Sequence, residues 1–275
     1  MYSKIKVAKI LLSTTIVLSS FLVLASCGEI KPSTVVQYDS SGKNWGGYVS
    51  GQLDIRFDDN DHTAYIHDAN SYVAHDLVIP WTIWQNDTAY TINLAKSKFT
   101  PNGDITGKLT IPYNVVEIGN DAFAHCSGLN SVILPPTLKT IGDFTFSSCT
   151  NLTTIIIPDS VTNIGIGCFN NCTNLSIIGI GTGLQSIASL MFYDCANLSI
   201  FFIPTNITSI GSQAFFGCTG LSVLVISENV TVVGKEAFKG WSTNQTIMVW
   251  WESSDTPADW NEDWNSSEAT IIYSS

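Results

Sequence analysis

The amino-acid sequence predicts a mostly β repeat solenoid with coils of 23 residues, and three columns of residues predict it. Cysteines recur at Cys126, Cys149, Cys172, Cys195 and Cys218, each 23 residues after the last, and the next step lands on Trp241. Phenylalanines keep the same step at Phe123, Phe146, Phe169, Phe192, Phe215 and Phe238. So does an aliphatic residue followed by a breaker: Ile111-Pro112, Leu134-Pro135, Ile157-Pro158, Ile180-Gly181, Ile203-Pro204 and Ile226-Ser227. A fixed period of this size, kept without a gap, marks a stack of like units, none of which buries its apolar face alone.

Composition supports a continuous stack. The 275 residues are 45% hydrophobic and only 13% charged, with a formal charge of −11. Loss of an amino-terminal segment carrying Lys4, Lys6 and Lys9 would leave 9 basic against 23 acidic residues, or about −14. Nucleic acid is excluded as a partner, because its binding needs clustered Lys and Arg.

In chain order, residues 1–26 read as an export signal. Lys4, Lys6 and Lys9 form its basic part, and an apolar run over residues 10–24 follows, too short and too near the start for a membrane span. The sequence Leu24-Ala25-Ser26-Cys27 resembles the lipobox of bacterial lipoproteins. That resemblance implies cleavage before Cys27 and lipid attachment at Cys27, with several acyl chains holding the protein on a membrane surface. Residues 27–47, rich in Ser, Gly, Lys and Asp, then form a tether without period, spanning roughly 25 Å on average.

Residues 48–108 read as an amino-terminal cap. Leu53-Asp54-Ile55-Arg56-Phe57 alternates like a strand, Asp58-Asp59-Asn60-Asp61-His62 is a polar turn, and Ala64-Tyr65-Ile66 returns, giving a β-hairpin over the first open end. The carboxylates of that turn, with His62, His67, Asp68, His75 and Asp76, raise the question of a metal. They lack the glycine and distal glutamate of a calcium loop and any zinc-like histidine spacing, so a solvated turn is the reading. Val78-Ile79-Pro80, Leu94 and Phe99 then outline an irregular first coil, with a second hairpin inserted around Asn86-Asp87.

Residues 109–246 are the regular repeats. In each, a strand places alternate residues inward, as with Val132 and Leu134, and proline stops it because it has no N–H to give the next coil. A second short extended piece points Leu138, Val161, Leu184, Ile207 and Val230 inward. Gly142, Gly165, Gly211 and Gly234 follow, with Ala188 in their place once. The phenylalanine and cysteine, three apart, suit one helical turn. Gly128, Asn151, Asn174, Asn197 and Gly220 share a tolerance of positive φ, so a left-handed residue is expected there. The cysteines, one per coil in one inward site, are expected to be free, buried thiols, with Cys168 beside them.

The order Ile118-Gly119, Ala122-Phe123, Cys126, Leu129 and Leu134-Pro135, repeated in residues 210–226, resembles the BspA-like (Treponema-type) leucine-rich repeat. The resemblance covers about residues 53–275. It implies a curved leucine-rich-repeat solenoid with a parallel sheet on its concave side, and adhesion to host or matrix proteins or to other cells. The fourth coil departs from the pattern at Gly179, Gly181 and Ala188, which puts regular geometry there in doubt.

Residues 247–275 read as a carboxy-terminal cap. Ile247-Met248-Val249 is its strand, and Trp260 and Trp264, spaced as in the terminal element of many such proteins, form a lid.

Between the inward residues of each front strand lie outward ones, and from Ile133 onward most are apolar. Ile133, Ile156, Ile177, Ile200, Phe202, Val223, Val225 and Met248 are the candidate partner-binding residues, since an ordinary exposed sheet face carries polar ones. No catalytic constellation or cofactor motif stands out, and neither metal nor cofactor is expected. The expected protein is a non-enzymatic, lipid-anchored surface protein of the bacterial envelope that binds a protein partner or its own kind. A glycan-binding module using Trp81, Trp84, Trp250 or Trp251, and an envelope protein without a ligand, are the alternatives.

Overall fold

A computed structural model of the chain describes residues 52–70, 77–79, 82–85, 88–99, 105–250, 257 and 259–273. The residues read as an export signal and tether, 1–47 with Cys27, lie outside them. The 23-residue step is the step of the backbone itself. Parallel front strands pair Val132 with Ile155 and Ile155 with Ile178, and further on Leu224 with Ile247. Behind them, two-residue strands such as Thr140–Ile141 and Asn163–Ile164 form narrow parallel ribbons. Identical positions therefore superpose, and the interior is a set of columns. All six repeat phenylalanines are fully buried, and neighbouring rings stack with centroids 5.3 to 5.9 Å apart.

Two antiparallel strand pairs precede the regular coils. Gln52–Asp58 and Thr63–Asn70 form an antiparallel hairpin, and Thr82–Gln85 pairs antiparallel with Thr88–Ile92. Thr88–Ile92 also runs parallel to the start of Thr63–Asn70, which ties the hairpins together. Leu77–Val78 joins the front sheet beside Gly107–Thr110. Phe99 stacks on Phe123, so the irregular coil continues the phenylalanine column.

The six cysteines of the described residues are free and buried, and four of them do more than fill space. The Cys149 thiol donates to the Phe123 carbonyl of the preceding coil at 3.2 Å, and Cys172, Cys195 and Cys218 repeat this to Phe146, Phe169 and Phe192. That carbonyl already accepts one N–H from its own coil, as in Cys126 N to Phe123 O at 3.3 Å. The thiol supplies its second bond. Where the column ends, the Trp241 indole N–H donates to the Phe215 carbonyl at 2.9 Å, which explains a tryptophan in a cysteine column. Burial raises the thiol pKa of Cys149, Cys172, Cys195 and Cys218, and Cys172 is pushed up to about 12.

Two sequence expectations are overturned between the back ribbon and the front sheet. The phenylalanine–cysteine segment is a chain of three-residue-spaced turns, and no helix forms among the described residues. Two left-handed residues per coil interrupt it. One column is Asp121, Phe144, Gly167, Leu190, Gln213 and Glu236; the other is His125, Ser148, Asn171, Asp194, Gly217 and Gly240. Reversing φ at these positions aims alternate N–H groups at the next coil. Asp121, Phe123 and His125 donate to the carbonyls of Asp143, Thr145 and Ser147. A helix would spend those donors inside its own coil. Gly128, Asn151, Asn174, Asn197 and Gly220 do not have positive φ. Their asparagines stack instead as an exposed amide ladder, Asn197 to Asn174 at 3.1 Å and Asn174 to Asn151 at 3.5 Å.

The irregularity expected in the fourth coil is present and has a steric cause. Gly142, Gly165, Gly211 and Gly234 each donate their N–H to the preceding coil at 2.8 Å. A Cβ on Gly165 would stand 2.5 Å from the Gly142 carbonyl carbon, and one on Gly211 2.8 Å from that of Ala188. Ala188 carries such a Cβ. Its N–H makes no backbone bond to the preceding coil, and the back ribbon splits there into Glu117–Ile118, Thr140–Ile141, Asn163–Ile164 and Ser186–Ile187, Ser209–Ile210, Val232–Val233.

Asn171→Val forces a β-branched residue into a left-handed conformation and should cost about 1–2 kcal/mol more than Asn174→Val in urea denaturation. Equal losses would contradict the assigned corners. The Cys172 thiol supplies a second expectation. Its folded pKa lies above the unfolded value, so its stabilisation is complete below about pH 9 and is lost as pH rises toward about 12. Over that window each such thiol costs about 1.4 kcal/mol per pH unit. Cys172→Ala should therefore lose less stability than the parent between about pH 8 and 10.5.

Candidate functional site

The front sheet presents one face to the core and one to solvent because side chains alternate along each strand. Val132, Ile155, Ile178, Phe201, Leu224 and Ile247 point inward and are buried. Between them, Ile156, Ile177, Ile200, Phe202, Val223 and Val225 are exposed, while Ile133 and Met248 are half-buried. Strand pairing sets Ile177 beside Ile200, and Val225 beside Met248. Ile156 pairs with Gly179, whose missing side chain leaves Ile156 uncovered on that flank.

The face is not one continuous sheet. Leu77–Val78, Gly107–Thr110, Leu129–Ile133, Thr154–Ile157 and Ile177–Ile180 form a five-stranded sheet; Val223–Ile226, Thr246–Val249 and Thr270–Tyr273 form a separate three-stranded one. In the coil between them the backward bonds of the front segment stop at Ser199 and Ile200, which both donate to the Ser176 carbonyl, and the Ser222 N–H makes no backbone bond to that coil. The inward residue there is Phe201, where other coils have Val, Ile or Leu. Its ring stands tilted, 5.2 Å from both Phe192 and Phe215. The planes of Phe192 and Phe215 open to 28°, against 9° or less at the neighbouring steps. A ring wedged into an aliphatic column displaces the backbone in front of it. Phe202 stands at this break and is 81% exposed.

Sequence reasoning passes over Thr270–Tyr273, which adds a strand to the front sheet beyond Thr246–Val249 and carries the exposed Ile272 and Tyr273. The uncharged, β-branched run Thr270-Ile271-Ile272-Tyr273 was the available signal. The lid residues sit at the last coil. Trp264 packs edge-on against Phe238, Trp260 packs edge-on against Trp264, and the Trp260 indole donates to Val230 O. Among the tryptophans of the glycan reading, Trp250 is exposed; Trp251, Trp81 and the Trp84 side chain lie outside the described residues.

The turn carboxylates of the cap have structural partners. Asp58 and Asp61 accept the backbone N–H groups of Asn60 and Thr63, and Lys96 lies 3.5 and 3.8 Å from them. The Thr63 hydroxyl holds the Asp61 carboxyl below its usual pKa. Asp59 accepts the Tyr90 hydroxyl at 2.7 Å, which raises the Tyr90 pKa. His75 and Asp76 of that candidate set lie outside the described residues, as does the His67 and Asp68 side-chain environment.

The coil geometry and the front face define a leucine-rich repeat protein. The chain belongs to the BspA type leucine-rich repeat family, whose model matches in six copies across residues 94–222 and 139–252. Similar solved structures include a leucine-rich repeat protein from Bacteroides ovatus, 20% identical with a TM-score of 0.44, covering 84% of this chain and 68% of that one. The T. pallidum leucine-rich repeat protein is 20% identical with a TM-score of 0.45, covering 80% and 83%. One from Eubacterium ventriosum is 21% identical with a TM-score of 0.47, covering 58% and 50%. No curated protein matches the sequence.

Proposed function

We propose that the chain is a lipid-anchored protein of the bacterial cell surface whose front sheet binds a protein partner, in adhesion to matrix proteins or other cells. One observation carries the reading. Six apolar side chains from four successive coils, Ile156, Ile177, Ile200, Phe202, Val223 and Val225, are exposed along the front face. Facing water, they add no burial to the core, and a contiguous apolar surface of this kind marks an interaction site. Phe202 is its anchor, an aromatic side chain of the type that dominates interface energies. The export signal and Cys27 support the location, and so does membership of the family. The same reading makes the protein a binder without catalysis.

Bacteria expressing the chain, applied to immobilised matrix proteins, test both parts together. Cells with the parent chain should adhere. Cys27→Ala should release the protein to the medium. The double variant Phe202→Ser, Val225→Ser should stay on the cells and fold, yet lose adhesion by about tenfold or more. Full adhesion by that variant would rule out the front sheet.

A further inference from the structure

The carboxy-terminal end of the front sheet offers a second and different surface. Thr270–Tyr273 is the outermost strand of its sheet. Its Thr270 N–H donates inward to Gln245 O at 2.9 Å. Backbone groups alternate along a parallel strand, so the N–H and C=O groups of Ile271 and Tyr273 face away from the sheet. Such an edge is a template for another strand. Proteins commonly blunt it with Lys, Pro or a bulge, and this strand has none of these. Ile272, on the front face, is 46% exposed and Tyr273, on the opposite face, 36%, so both sides offer apolar contact to an incoming chain.

Charge selects what comes in. Residues 251–275 contain Glu252, Asp255, Asp259, Glu262, Asp263 and Glu268, and no Lys or Arg. Asp259, Glu262, Asp263 and Glu268 are exposed, and among the described residues only Asp263 of these meets a lysine, Lys235 at 3.9 Å. A second copy of this chain would bring two acidic ends together. We propose that this edge takes an extended segment of another protein, rich in basic side chains, as an added β-strand. Main-chain hydrogen bonds to Ile271 and Tyr273 supply the pairing, Ile272 and Tyr273 the apolar contact, and the acidic segment the selectivity.

The probe is a dye-labelled eight-residue peptide alternating lysine and valine, titrated against the full chain by fluorescence anisotropy. It should bind, and binding should fall at least tenfold when lysine is replaced by glutamate. The same loss should follow when alternate backbone nitrogens of the peptide are methylated, which removes pairing and keeps charge. Tyr273→Pro should also abolish binding, since proline there removes an outward-facing donor and the tyrosine ring but no hydrogen bond within the sheet, and Tyr273→Phe, which keeps both the donor and an aromatic ring, should bind like the parent. Phe202→Ser should leave binding intact, which separates this edge from the front face. Equal binding of the methylated peptide would reduce the effect to charge attraction and overturn the proposal. Absence of binding, equal binding of the glutamate peptide, or loss in Phe202→Ser would overturn it as well.

Discussion

Close approach of successive backbones is the constraint on which this structure depends. Parallel extended chains lie about 4.8 Å apart, and a solenoid must keep that distance on every side of each coil. Hydrogen bonds from coil to coil set it, and any column where two backbones nearly touch must dispense with a Cβ. Gly142, Gly165, Gly211 and Gly234 meet this requirement. Ala188 does not, and the ribbon opens beside it. The same constraint acts from inside at Phe201, which exceeds the volume of its column and opens the front sheet. One methyl group and one ring thus divide an otherwise uniform stack at two different junctions.

The phenylalanine column shows how one repeat position serves packing and hydrogen bonding together. Each ring stacks on its neighbours, while its carbonyl faces the interior and accepts from its own coil and from the next coil's thiol. A buried carbonyl with an unfilled lone pair is tolerated, so the thiol bond is a modest gain, but it recurs from coil to coil. Serine in that column would offer a stronger donor at a higher desolvation cost. Cysteine combines a weak donor with an apolar body, and burial keeps it protonated.

The columns of like residues were legible in the sequence because inward positions tolerate little change: the phenylalanines, cysteines and aliphatic ladders all lie where the period puts them. The left-handed corners were harder. His125, Ser148, Asn171, Asp194, Gly217 and Gly240 mostly favour positive φ as residue types, yet Phe144, Leu190, Gln213 and Glu236 share no such preference. Those are held by inter-coil hydrogen bonds, which no local propensity records. The asparagines at 151, 174 and 197 point to a corner by type but owe their place to one another. On the front face the outward residues follow from alternation alone, whereas the break beside Phe202 depends on how one ring fits its neighbours. The added strand Thr270–Tyr273 falls outside the period, since Thr246 pairs with Thr270 rather than with a residue 23 away.

For function, the break matters because it falls within the apolar face. Phe202 is exposed where the sheet beneath it is unpaired, so the part of the surface with its most exposed aromatic is also the part least tied to its neighbours. Coil contacts, column by column, decide where the stack is closed, and residue-resolved amide exchange measures this most directly. The N–H groups of Gly165, Gly211 and Gly234 should be protected, while those of Ala188 and Ser222 should exchange at least tenfold faster, and Ala188→Gly should bring residue 188 to the level of its column. Uniform protection across all five positions would contradict this dependence on coil contacts.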